Sequence, residues 1–349
     1  MENSRRDFLK LGAAAAAVGA LLPEEGAKAA PSLGPIPNTA ADKLRLVTFA
    51  PEAKATPRIG VVRASGRVVD IGAAAKRQGM RLAFDPTRMV SLIAGNDRAL
   101  KQVIELAAAS GDDGPALDSV KLLPPIPHPT RNVYAVGWNY LAHFEEGQAM
   151  RDLPADVPEH PVFFTKGVHT VNGPYDPIPY DPQVSTLIDW ECELAVVLGK
   201  RGRNIPEAEA MNYVFGYMVI NDTSARDLQL KKHGGQWFKG KSLDGHGPIG
   251  PWIIPASQLD YNNLHLITRV NGQVKQDAST KQMYFKVPRI VSELSQGLTI
   301  EPGDIIATGT PPGVGHARKP PEYLKPGDVM ETEIVEIGVI RNVIQQGQA

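Results

Sequence analysis

The chain has 349 residues, with 37 lysines and arginines against 38 aspartates and glutamates, for a formal net charge of -1. That balance excludes a general electrostatic pull toward nucleic acid or an anionic membrane surface. The length allows one substantial core with a smaller satellite domain. The 33 glycines and 30 prolines favour a turn-rich fold dominated by strands, and the lone cysteine, Cys192, excludes an intramolecular disulfide.

The first stretch, residues 1–29, has the form of an address. Arg5 and Arg6 precede a weakly apolar run from Leu11 to Leu22, and Ala27-Lys28-Ala29 offers a small-residue cleavage site before Ala30. Paired arginines, a short apolar stretch and such a site make a twin-arginine export signal. The run is too short to span a hydrocarbon core of ~30 Å, and the alternative is an uncleaved amphipathic leader. The twin-arginine machinery carries folded proteins, which suits a chain without disulfides and implies a periplasmic or extracellular destination. No later segment is long and apolar enough to be transmembrane, so no stable membrane insertion is expected.

Residues 30–42 read as a mobile Pro/Ala/Ser/Asn linker, and residues 43–125 as a small α+β domain. There, Arg58–Val62 and Arg67–Ile71 flank Ala64-Ser65-Gly66 and predict a hairpin. Apolar residues at helical spacing predict a helix over 91–109. The proline-rich stretch 122–129 marks the expected boundary, because proline breaks both helix and sheet. The second domain, residues 126–346, opens with a helix near Tyr140–Met150. It then carries a strand over Asp189–Leu198 and helical pieces near 206–211 and 288–294. Asn271-Gly272 predicts a hairpin, and Pro302-Gly303-Asp304 and Pro326-Gly327-Asp328 each turn into a strand.

The chemistry concentrates around Asp189-Trp190-Glu191-Cys192-Glu193. In a strand, residues i and i+2 share a face, so Glu191 and Glu193 present two carboxylates together while Cys192 and Leu194 point away. Neighbouring anions need a proton or a cation between them, and a hard divalent metal prefers such oxygen ligands. An isolated pair of this kind is more often two solvated glutamates. The continuous apolar run Leu194–Leu198 argues for a buried strand instead. Asp222 ends another apolar run and is a third ligand candidate, although alone it reads equally well as a helix N-cap. His143 and Glu146 stand three apart on a predicted helix, where a carboxylate can orient an imidazole for base chemistry. Glu145 is off that face.

Five passages in order resemble the fumarylacetoacetate hydrolase family: Asp189–Gly199, Asn221–Gln229, Lys239–Asp244, Pro248–Ile253 and Thr308–Gly315. The resemblance covers nearly all of residues 130–344. It implies a mostly β, α+β fold, with a mixed β-roll catalytic domain behind a small N-terminal α+β domain, commonly as a homodimer. It also implies an octahedral Mg²⁺ (or Mn²⁺ or Ca²⁺) held by Glu191, Glu193 and Asp222, with His143 and Glu146 on a segment that closes over substrate. Lys241 is then a candidate for stabilising an anionic intermediate, Thr310 matches a position that binds the substrate's acid group, and Tyr140, Arg226 and Gln229 are candidate substrate contacts. For Arg226 a structural ion pair is an equal alternative. Where relatives often carry an aromatic or small apolar residue, this chain has Gly245-His246-Gly247, and His246 is either an extra substrate contact or a solvated loop residue.

The expected reaction is metal-dependent hydrolysis of a carbon–carbon bond in a small 2-oxo or β-diketo acid, through a metal-bound enolate. Decarboxylation, isomerisation or hydration of a related acid uses the same core. A different class, an exported protein that captures keto acids without turnover, is disfavoured by the His143–Glu146 pair. Gly235–Ser242 also satisfies the phosphate-loop pattern G-x-x-x-x-G-K-S. No apolar strand precedes it and Asp244-Gly245-His246-Gly247-Pro248 cannot continue as a helix, so nucleotide binding is rejected.

Overall fold

The computed structural model describes residue 31 and residues 33–52, 55–148 and 156–347, so the expected export signal lies outside the described residues. β1 (Arg45–Ala50) is buried throughout. β2 (Arg58–Val62) and β3 (Val68–Asp70) form the expected antiparallel hairpin, turned by Gly66 at φ 75°, a conformation an L side chain resists. The strand expected to reach Ile71 stops one residue earlier. The Asp70 carboxylate accepts a hydrogen bond from the Ala73 N–H and caps α1 (Ile71–Arg77). The one helix expected over 91–109 is two, α2 (Met89–Ala94) and α3 (Asn96–Ala109). Asn96 takes φ 50° at the break, and a Cβ on Gly95 would lie 2.6 Å from the Ala99 side chain, so the junction is both bent and tightly packed.

After β4 (Lys121–Leu122) come β5 (Val133–Gly137), α4 (Leu141–Gln148) and β6 (Val162–Lys166). The expected end of α4, at Met150, is outside the described residues. The chain continues through β7 (Val171–Asn172), β8 (Ile178–Tyr180), β9 (Ile188–Asp189), β10 (Cys192–Leu198) and β11 (Val214–Asn221). Then follow β12 (Ser224–Ala225), α5 (Arg226–Leu230), α6 (Phe238–Lys241) and β13 (Gly247–Pro255). The last part holds β14 (His265–Val270), β15 (Gln273–Ser279), α7 (Val287–Ser295), β16 (Ile305–Ala307), β17 (Val329–Ile334) and β18 (Gly338–Gln346). Asn271 and Gly272, at φ 52° and 78°, make the tight turn between β14 and β15 that the sequence predicts. The helical piece near 206–211 is a 3₁₀ segment, Glu207–Tyr213.

An 11-stranded sheet runs β3-β2-β1-β13-β11-β10-β16-β5-β6, with β4 on β1 and β7 on β13. A five-stranded sheet runs β15-β14-β17-β18-β8, and β9 pairs with β12. The large sheet passes across the proline run, because β1 joins β13 through Leu46 and Ile253. Residues from Pro31 onward form one compact unit. The expected mobile linker has no regular structure yet is docked. Ile36 N–H donates to Asp118 at 2.7 Å, Asn38 donates to the Ala64 carbonyl at 2.9 Å, and Arg341 holds the Leu33 carbonyl.

Alternation along β10 sets the two cores. Cys192, Leu194, Val196 and Leu198 join the cluster that includes Leu266, Ile334 and Ile340 of the five-stranded sheet. Ala195 and Val197 face the cluster built with α1, α2 and α3. Because β10 is paired on one side to β11 and on the other to β16, whatever it carries at its N-terminal end is held from both sides.

Candidate metal centre and its cavity

The strand expected over Asp189–Leu198 is interrupted at Trp190 and Glu191. Asp189 causes the break. Its carboxylate accepts hydrogen bonds from Trp190 N (2.8 Å), Gly315 N (2.6 Å) and His316 N (3.0 Å), which pulls the chain toward the glycine-rich loop 309–315. Glu191 therefore precedes the regular ladder, although its carbonyl still accepts from Asp222 N at 2.9 Å. Glu193 shares the parity of Ala195 and Val197, as expected, and Cys192 faces the other core. Cys192 pairs with Asn221 across the sheet, so the strand register itself delivers Asp222 beside the two glutamates. Ligand oxygens of Glu191, Glu193 and Asp222 lie within 4.8 Å of one another, and all three residues are buried. Asp222 is not a helix cap: the residue before α5 is Ala225.

Four buried carboxylates meet three buried cations here. Lys241, from α6, places Nζ 2.6 Å from Glu191 Oε2 and 2.7 Å from Asp222 Oδ2. Lys166, at the end of β6, lies 2.7 Å from Asp222 Oδ1. Arg226, at the start of α5, reaches Asp189 at 2.7 Å and Glu191 at 2.8 Å and donates to Gln229 Oε1 at 2.9 Å. It is thus an ion-paired residue as well as a cavity residue. Burial would raise the Glu191 carboxyl, but Lys241 and Arg226 outweigh it and hold it at about 2. Glu193 is pushed well above the usual carboxylate range, first by burial and then by Asp222 and Glu191. Its Oε2 accepts from Gly309 N at 2.7 Å. Burial lowers Lys166, whereas Asp222 and Glu191 overcome burial and raise Lys241.

This donor set fits a hard divalent ion. All donors are oxygens, and burial, with Asp222 and Glu191 beside it, makes Glu193 costly to ionise without a further cation. The ammonium of Lys241 occupies the position of a bridging cation between two of them.

A cavity of about 310 Å³, open mouth included, lies over the cluster. Glu191, Glu193, His143, Lys241, Gln229 and Thr310 line it, with Arg226 beside them. Trp138, Phe164 and Trp237 form its apolar wall. Trp237 packs so closely on β5 that a Cβ on Gly137 would lie 2.3 Å from its ring. Across the cavity, His143 Nδ1 is 3.1 Å from Glu146 Oε2, the pair that the helical spacing predicts. Glu146 in turn accepts from Gly313 N at 3.0 Å, which ties α4 to the glycine-rich loop. Glu145 is exposed. The Thr310 hydroxyl donates to the Cys192 carbonyl at 3.0 Å and accepts from Gln276 Nε2 at 2.8 Å.

Two candidates stand apart. Tyr140 is 1% exposed, belongs to the main core and does not line the cavity. His246 is buried rather than solvated, with Nε2 2.8 Å from the Pro179 carbonyl, and it too is outside the cavity lining. The phosphate-loop pattern folds as a 3₁₀ turn followed by the four-residue α6, in keeping with its rejection. Sequence reasoning missed Lys166 and gave Asp189 no role. A charged residue closing the aromatic strand Val162-Phe163-Phe164-Thr165 was the available signal for Lys166. Trp237 was likewise given no role in the site.

A buried carboxylate cluster at the end of a central strand of a mixed β-roll, faced by a His–Glu pair, defines a scaffold that could hold a divalent ion. The profile described as "fumarylacetoacetate (FAA) hydrolase C-terminal" matches residues 132–345, and the chain belongs to that family. A twin-arginine translocation signal matches residues 2–21. The mitochondrial oxaloacetate tautomerase fahd2 of Xenopus laevis is 39% identical over 306 residues, covering 86% of this chain and 90% of that protein. Oxaloacetate tautomerase YisK of Bacillus subtilis is 39% identical over 294 residues, covering 82% and 95%. The crystal structure of maleylpyruvate hydrolase from Sphingobium sp. SYK-6, in complex with manganese(II) and pyruvate, superposes with TM-score 0.69 at 27% identity, covering 87% of this chain and all of that one.

Proposed function

We propose that this chain is a divalent-metal-dependent enzyme that moves a proton at the carbon beside the 2-oxo group of a small organic acid, interconverting its keto and enol forms. One observation carries this reading: of three buried carboxylates within 4.8 Å of one another, Glu191 and Glu193 line a cavity together with an imidazole held by a glutamate. The tautomerase relatives and the manganese-bound hydrolase support it.

Glu191, Glu193 and Asp222 would hold Mg²⁺ or Mn²⁺, which when bound supplies Lewis-acid polarisation of the 2-oxo group. His143 takes the proton from the adjacent carbon. With Nδ1 tied to Glu146, Nε2 is the nitrogen left to accept it. Glu146, fixed by Gly313 N, keeps the ring oriented and balances the imidazolium that forms. Lys241 and Arg226 supply positive charge beside the developing enolate oxygen, inside a cavity whose tryptophan wall limits water. Thr310, which lines the cavity, would receive the acid group.

Hydrolysis of a carbon–carbon bond is the second reading, favoured by the same dyad. A base so oriented also takes a proton from water, and the departing carbon would be stabilised by the same cations. The export signal implies that either reaction takes place outside the cytoplasm, in the periplasm. Changing Arg5 and Arg6 together to lysine should leave a fused reporter inside the cell, and export at the wild-type level would refute this. The deciding experiment is proton NMR of oxaloacetate with the manganese-loaded protein. Faster keto–enol exchange without pyruvate supports tautomerisation, and pyruvate release from an acylpyruvate supports hydrolysis. Neither product from either substrate, in protein shown to hold metal, refutes both readings.

A further inference from the structure

Where the regular ladder of β10 lapses, side-chain amides take its place. Glu191 N–H donates to Asn221 Oδ1 at 3.1 Å, and Cys192 N–H donates to Gln276 Oε1 at 3.0 Å. Gln276 belongs to β15, the edge strand of the five-stranded sheet. The register of β14 and β15 shifts beside it. Thr268 pairs with Gln276 but Arg269 pairs with Val274, so Lys275 is the extra residue of a bulge. The bulge lies so close to the glycine-rich loop that a Cβ on Gly313 would stand 2.3 Å from the Lys275 carbonyl. Gln276 is 1% exposed and is outside the cavity lining.

All four hydrogen-bonding positions of this amide are used. Oε1 also accepts from the Thr268 hydroxyl at 2.7 Å, and Nε2 donates to Thr310 Oγ1 at 2.8 Å and to the Pro311 carbonyl at 2.9 Å. Flipping the amide would set Nε2 against the Cys192 N–H and Oε1 against the Pro311 carbonyl, so its orientation is unique. The Thr310 hydroxyl donates in turn to the Cys192 carbonyl at 3.0 Å, which closes a ring of three hydrogen bonds through Cys192, Gln276 and Thr310. Cys192 stands between Glu191 and Glu193. Its N–H belongs to the peptide plane shared with Glu191, and its carbonyl to the plane shared with Glu193. The ring holds both planes.

We propose that Gln276 is a positioning residue of the metal centre: through its ring with Thr310 it fixes the two peptide planes that aim Glu191 and Glu193 at one ion, and it ties that aim to the loop that walls the cavity. The proposal rests on the reading of Glu191, Glu193 and Asp222 as metal ligands, and extends it to a residue that acts through the Cys192 backbone. Neighbouring carboxylates repel one another and would spread on a slack backbone. A site held against that spread binds its ion more tightly.

The test is titration calorimetry of manganese into the full chain without substrate, so that no contact between Thr310 and an acid group enters. Gln276→Met keeps most of the side-chain volume and opens the ring, and manganese affinity should fall by about 10- to 100-fold. Thr310→Val opens the same ring from its other side and should cost a similar factor. The two changes together should cost no more than the larger one alone, because a ring already open has nothing further to lose. Thr268→Val removes a hydrogen bond from the same amide but leaves the ring closed. It should lower the melting temperature and leave manganese affinity within about twofold of the wild type. Unchanged affinity in Gln276→Met or Thr310→Val, additive losses in the pair, or an equal loss in Thr268→Val would each overturn the proposal, while manganese binding by the wild type keeps the metal reading standing. A wild-type chain that binds no manganese overturns both. Thr310→Val, read against Thr268→Val, decides the matter even if Gln276→Met does not fold.

Discussion

Replacing Lys241 with methionine tests whether its ammonium stands where a metal would. Nζ lies 2.6 and 2.7 Å from oxygens of Glu191 and Asp222, and the residue is 2% exposed. Methionine keeps most of the side-chain volume, so the main loss is charge. Removing one partner from a buried ionic cluster costs about 3–5 kcal/mol, because the remaining charges stay buried without compensation. That is the expected deficit in urea unfolding at neutral pH with a chelator present. Manganese at about a hundred times its dissociation constant should stabilise the wild type by about 2.7 kcal/mol. It should stabilise the variant more, since the ion then faces the carboxylates without a competing ammonium. The deficit should therefore narrow by at least about 1 kcal/mol when manganese is added, an amount set by the loss of like-charge repulsion. A deficit that is unchanged or wider in manganese would refute the argument, and Lys241 would be a purely structural partner.

Three further outcomes are expected. His143→Gln and Glu146→Gln should each lower kcat by about 10²- to 10⁴-fold, while calorimetric manganese affinity stays near the wild-type value; equal losses in both would mean the pair is structural. Lys166→Met removes the ammonium 2.7 Å from Asp222 Oδ1, and by the same loss of like-charge repulsion manganese affinity should rise by about fivefold, read by titration calorimetry; a fall would make Lys166 the residue that positions Asp222. His246 gives a pH effect: burial pushes its imidazole down to about 4, with Lys166 adding to the shift. Below the ordinary histidine value of about 6.5 the unfolded chain takes up a proton that the folded ring refuses, so stability falls between about pH 6.5 and 4. At pH 5 the loss should be about 2 kcal/mol relative to a His246→Gln control, and parallel pH profiles for the two proteins would contradict the assignment.

The parts of this site that follow from local rules were legible beforehand. Period-two alternation placed Glu193 opposite Cys192, and three-residue spacing on a helix joined His143 to Glu146. The Asn271-Gly272 turn, the β2–β3 hairpin and the apolar strands around the carboxylates were equally local. What escaped depends on pairing between distant segments. Asp189 breaks its strand because three backbone N–H groups, two of them from residues more than a hundred positions away, converge on it. Lys166 is a site residue only because β6 ends beside Asp222, and nothing in its own stretch names that partner. Tyr140 and His246 share the opposite fault. Each lies near chemistry in sequence, and the packing of β5 and β13 turns each into the interior. The docked course of residues 33–42 could not be read from a proline- and alanine-rich composition. It is fixed by hydrogen bonds that Ile36 and Asn38 donate to Asp118 and the Ala64 carbonyl, and that Arg341 and Arg45 donate to the Leu33 and Thr39 carbonyls.

The parity that aims Glu193 at the cavity has a chemical consequence for its neighbour. Cys192 is fully buried in the opposite core, its thiol 3.6 Å from the Glu333 carbonyl. Burial and the nearby Glu193 charge drive it far toward the protonated form. Oxidants and disulfides are attacked by thiolates, not thiols, and need access to the sulfur. This sulfur offers neither, so the folded chain should resist mixed-disulfide and sulfenic-acid formation at Cys192. The strand parity that builds the acidic cluster is thus also what shields the one thiol of the chain.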